Sequence, residues 1–96
     1  MNSNIEKHAA MISVALHVAK SMIKESETKG ISETGAITRN ALAHLSTTLG
    51  VEAKIATTLL VTIFKCIMEL SNSELEKQTG IRIILCAKED FKINPN

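Results

Sequence analysis

Three histidines and two cysteines are the side chains of this 96-residue chain best suited to binding a metal or moving a proton, and their spacing argues against both. His8 and His17 are nine residues apart, which on a helix of 3.6 residues per turn places them on nearly opposite sides, so one chain cannot bring them to one ion. His44 has no acidic neighbour in sequence to orient its ring, and all three histidines read as solvated or partly packed. Cys66 and Cys86 lie inside apolar runs with no histidine beside them and no metal-type spacing, so buried free thiols are expected. Serines and threonines are numerous but sit at helix starts and along helix faces. No nucleophile elbow, phosphate loop, paired-carboxylate motif or glycine-rich cofactor turn is present. The sequence therefore predicts no catalytic residue, no metal and no cofactor.

The elements that would carry any site are better defined. Ile5, Ala9, Ile12, Leu16, Ala19 and Ile23 recur at spacings of four and three, which predicts one face of a first helix over about residues 4–27. Ser3 and Glu6 match a capping box at its start, and Gly30 marks its end. Met11, Val14, Val18 and Met22 widen the apolar arc enough for two neighbours. Ser32 offers an N-cap for a second helix, in which Ile37, Ala41, Leu45 and Leu49 repeat up to Gly50.

In the stretch "GVEAKIATTLLVTIFKCIMEL", Lys54, Thr58, Thr62, Lys65 and Glu69 fall on one narrow line, while apolar residues cover the rest, so a third, mostly buried helix is expected at the centre of the fold. A membrane span needs about 20 predominantly apolar residues, and Glu52, Lys54, Lys65 and Glu69 interrupt this run. Ser73 and Glu76 repeat the capping pattern and predict a short fourth helix closed by Gly80. Beyond it, Ile81, Ile83 and Leu85 alternate with Ile84 and Cys86. This segment reads as a C-terminal strand only if another chain pairs with it; otherwise it is not a strand. The expected fold is thus mainly α, a single domain over residues 1–96. It is a small bundle of three long helices with a short fourth and a loose tail from about residue 92.

Across Gly50, the residues Leu45, Leu49, Gly50, Val51, Ala56 and Leu59 resemble the spacing of a helix-turn-helix, in which Lys54, Thr57 and Thr58 would face DNA. Ser46 stands where that motif usually has alanine, and the supposed recognition helix continues as a long apolar rod. The charge balance also weighs against nucleic acid. Eleven basic and ten acidic residues give a net charge of +1, and the basic ones are spread from Lys7 to Lys92, whereas phosphate contacts supply most nucleic-acid affinity.

With 45% hydrophobic and 22% charged residues, the chain has the composition of a folded domain, and at this length a lone core leaves a thin stability margin. Self-association, most simply as a homodimer, is expected. The N-terminus lacks the basic start and unbroken apolar segment of a secretion signal, so a cytoplasmic location is expected. By elimination the sequence points to a small non-catalytic regulatory or adaptor protein (an inhibitor, antitoxin or chaperone-like protein) that binds another protein. The candidate binding residues are Met11, Val14, Val18, Met22 and Ile84, with a helix-turn-helix regulator as the alternative.

Overall fold

Four α-helices and one short 3-10 turn make up almost all of the computed structural model, which describes the backbone of residues 3–91 and the side chains of residues 5–89. The helices are α1 (Ser3–Lys29), α2 (Thr34–Leu49), α3 (Ala53–Leu70) and α4 (Glu74–Phe91), with the 3-10 turn Ile31–Glu33 between the first two. Every pair of helices is in contact, and α3 packs most extensively on α4. In an open square bundle the diagonal pairs would stand apart, so the helices here cross over a common centre. The radius of gyration, 13.2 Å, is near the about 12.5 Å of a compact chain of this length.

Only the C-terminal two thirds of α1 reaches the core. Ala15, Val18, Ala19, Met22, Ile23 and Ser26 are buried at helical spacing, whereas every residue from Ile5 to Ala10 is exposed, so the helix start overhangs the bundle. The expected Ile5–Ile23 face is therefore realised only in its later turns. The Ser3 side chain of the expected capping box, and the expected loose tail from residue 92, lie outside the described residues. Gly30 ends the helix as expected. Its φ of 100° is one that L side chains rarely adopt, and its N–H donates to the Ser26 carbonyl at 3.0 Å.

Ser32 does not cap α2. It lies inside the 3-10 turn, and the chain enters the helix through that turn, with the Thr34 hydroxyl donating to the Ile31 carbonyl at 2.8 Å and no side chain capping the first turn. Gly50 closes α2 in the left-handed conformation, φ 66° and ψ 37°. The Gly50 and Val51 N–H groups reach back to the Thr47 and Ser46 carbonyls at 3.3 and 3.1 Å, which is the Schellman arrangement. The Ser46 hydroxyl donates to the Val51 carbonyl and ties the same turn from its other side.

The core is centred where the third helix was expected to place it. Leu60 and Phe64 of α3 are fully buried against Met22 of α1, Leu42 and Leu45 of α2 and Ile83 of α4. The helix is less enclosed than its composition suggested, because Ile55, Cys66 and Leu70 are exposed, while Leu59, Ile63 and Ile67 are half-buried.

The largest correction concerns residues 74–91. No short helix and strand are present; α4 is one continuous 18-residue helix, and residues 81–86 lie within it. Its start follows expectation in part. Ser73 Oγ accepts from the Glu76 N–H at 3.2 Å, but the Glu76 carboxylate turns to the Ser71 hydroxyl at 2.7 Å, and Ser71 Oγ also accepts from the Ser73 N–H at 3.0 Å. Gly80 is not a stop. A Cβ built there would lie 2.8 Å from Met68 Cγ and 3.0 Å from Met68 Sδ, so the missing side chain is what lets α4 lie close against α3. Gly80, Ile83, Ile84 and Ala87 form the buried stripe of α4, at the spacing of one helical face.

Candidate functional site

The residues expected to bind a partner do not share an exposed face. Val18, Met22 and Ile84 are buried in the core, at 7%, 1% and 7% exposure, while Met11 and Val14 are half-buried beside them. The broad arc of α1 is broad because α2, α3 and α4 all pack on it. The residues of the helix-turn-helix reading also separate. Lys54 and Thr58 are exposed, with the Thr58 hydroxyl donating to the Lys54 carbonyl at 3.0 Å. Thr57, however, is fully buried and donates to the Ala53 carbonyl at 2.7 Å, so it points into the bundle and cannot face DNA.

The apolar residues left at the surface define a different feature. Ile31, Leu75, Ile81 and Leu85 are exposed by 63, 57, 50 and 62% and line one groove of about 630 Å³. One wall is the outer face of α4, from Leu75 to Glu89; the other is the end of α1 with the 3-10 turn, at Ser26, Glu27, Gly30, Ile31 and Thr34. α4 supplies this wall because its opposite face, the Gly80–Ala87 stripe, is committed to the core. Placing residue 80 against α3 turns Leu75, Gln78, Ile81, Arg82 and Leu85 outward. Glu27, Arg82 and Glu89 put charges of both signs around the apolar floor. Ser26, 6% exposed, also lines the groove, and its hydroxyl has no hydrogen-bond partner among the described residues. Sequence reasoning missed this groove, because reading 81–86 as a strand scattered Ile81 and Leu85 away from Leu75.

A second, smaller groove of about 300 Å³ lies between α1 and α2 and is lined by His17, Ser21, Glu25, Asn40 and His44 over a floor of Val18, Met22 and Ile37. It brings together His17 and His44, which were considered separately in sequence. All three histidines are exposed, as expected, and no group of three or more His, Cys, Asp or Glu among the described residues could hold a metal. Neither Cys66 nor Cys86 is in a disulfide, but Cys66 is exposed rather than buried, and Cys86 is half-buried at the edge of the α4 groove. Among the described residues, no helix is long and apolar enough to cross a membrane. Comparison with models of protein families, with curated proteins and with solved structures gave no match to this chain.

Proposed function

We propose that this chain is a small, non-catalytic regulatory or adaptor protein that acts by binding a polypeptide, in the manner of inhibitors, antitoxins and chaperone-like proteins, and that the α4 groove is its docking surface. It works in the cytoplasm as a homodimer. The observation that carries this reading is the gathering of four half-exposed aliphatic side chains in one groove. Single exposed aliphatic residues are ordinary on a protein surface, whereas a contiguous apolar patch rimmed by polar groups is the usual mark of an interaction site. The wall from Leu75 to Glu89 is about 21 Å long at 1.5 Å per residue, which accommodates four turns of an amphipathic helix. The charges of Glu27, Arg82 and Glu89 at the rim would set its direction.

The test is a photo-crosslinking residue placed at Leu85 or Ile81, with Lys20 on the exposed side of α1 as the control position, in cells of the native host. The reading expects a discrete polypeptide adduct from both groove positions and none from Lys20. Absence of any polypeptide adduct from Leu85 and Ile81 would overturn it.

A further inference from the structure

The groove takes a helix, and the exposed face of α4 suggests whose. We propose, resting on the groove reading above, that in the free homodimer the occupant is α4 of a second copy, which a target helix displaces, packed antiparallel about a twofold axis that passes beside Gln78. At 100° per residue, Glu74, Leu75, Gln78, Ile81, Arg82 and Leu85 all fall within about 60° of Gln78, and all six are exposed. They therefore form one ridge, bounded on its far side by the buried Ile83 and Ile84.

Between Glu74 and Arg82 the chemistry of this ridge is arranged symmetrically about Gln78, and Leu85 lies beyond that span, at the level of the other copy's Ser71. Glu74 lies four residues before Gln78 and Arg82 four after; Leu75 lies three before and Ile81 three after. A twofold axis at Gln78 brings each position to the level of its counterpart across the seam. Each Glu74 carboxylate then comes within reach of the other copy's Arg82 guanidinium across the seam, while Leu75 and Ile81 flank the seam on its two sides. The two Gln78 amides, each both donor and acceptor, meet on the axis. Within one chain neither Glu74 nor Arg82 has an ion-pair partner among the described residues. Parallel packing in the same register would set Glu74 against Glu74 and Arg82 against Arg82, which like-charge repulsion disfavours. A foreign helix would need a matching pattern of its own, whereas the second copy carries the complement by construction. Ile31, on the opposite wall of the groove, then closes against the flank of the incoming helix.

Sedimentation velocity over a micromolar dilution series tests this, with folding of each variant checked by circular dichroism. Wild type should sediment as a dimer that dissociates on dilution. Glu74→Arg and Arg82→Glu alone should each raise the dimer Kd at least about tenfold, because each replaces two attractive pairs by two repulsive ones. The double variant Glu74→Arg/Arg82→Glu should return the Kd to near the wild-type value. As an independent readout, Gln78→Cys in a Cys66→Ser/Cys86→Ser background should form a disulfide-linked dimer on mild oxidation, and Glu69→Cys in that background should not. A folded wild type that remains monomeric overturns the second copy as occupant. If Leu85 crosslinks to a different protein in that case, the groove reading stands with a foreign helix in the groove; if it crosslinks to nothing, both readings fall. A dimer indifferent to both single charge reversals is built on another face and also overturns the proposal.

Discussion

Replacing Gly80 by alanine sets two effects of opposite sign against each other, and the structure decides between them. Glycine in a helix interior is less favourable than alanine by about 0.8–1.0 kcal/mol, so on an isolated helix the substitution would stabilise. Here the new Cβ would sit 2.8 Å from Met68 Cγ and 3.0 Å from Met68 Sδ, closer than carbon and sulfur atoms pack, while Phe64 Cδ1 at 3.6 Å is in ordinary contact. Forcing an extra methyl into such a contact costs roughly 1–3 kcal/mol. Methionine is flexible and can give part of the way, which favours the lower part of that range. Gly80→Ala should therefore destabilise the fold by a net ~0–2 kcal/mol. In a Met68→Ala background the obstruction is gone, and the same substitution should stabilise by about 1 kcal/mol. Urea unfolding of the four proteins of this cycle, followed by circular dichroism, measures a coupling expected at ~1–3 kcal/mol. If Gly80→Ala stabilises wild type by the full helix-propensity gain and shows no coupling to Met68, then α3 and α4 do not approach each other at Gly80 and the outward turn of Leu75, Ile81 and Leu85 loses its cause.

Three further predictions concern the scaffold. Leu60→Ala should cost about 2–5 kcal/mol by the cavity it leaves among fully buried neighbours, read as a lower urea midpoint; a near-wild-type midpoint would contradict the central place of α3. Thr38→Val should raise the melting temperature, because Thr38 is fully buried and its hydroxyl has no partner among the described residues, so its removal relieves a desolvation penalty of about 1–3 kcal/mol. Ser73→Ala should cost about 1 kcal/mol through loss of the bond from the Glu76 N–H, with hydrogen exchange accelerating in the first turn of α4 more than elsewhere.

What the sequence made legible was whatever depends on local periodicity. The central place of α3, with Leu60 in the core, and the glycine stops at Gly30 and Gly50 follow from spacing and from backbone conformations that favour glycine, whereas Ile63, expected beside Leu60 at the centre, is half-buried and Phe64 takes that place. Residues 74–91 were misread because the run Ile81–Cys86 is apolar at nearly every position, so its period cannot be judged from within. The helical signal lay in Gly80, Ile83, Ile84 and Ala87, at spacings of three, one and three, and it was hidden by taking Gly80 as punctuation when it is a contact with Met68. The candidate site was least legible. Whether an aliphatic residue such as Val18 or Leu85 faces the core or the solvent depends on how many helices share its neighbourhood, which sequence spacing does not encode. Val18 is covered by the bundle, whereas Leu85 is not.

The most direct measurement of the central claim is hydroxyl-radical footprinting of the aliphatic side chains, performed on the purified protein at dimer-forming and at high dilution, and again in native host extract. The account predicts that Leu75, Ile81 and Leu85, exposed in the single chain, become protected in the assembled state, while Leu70, 84% exposed and outside the groove, stays reactive throughout. Oxidation of all three groove residues as rapid as that of Leu70, in every state including the extract, would show that nothing docks along α4 and would contradict the account.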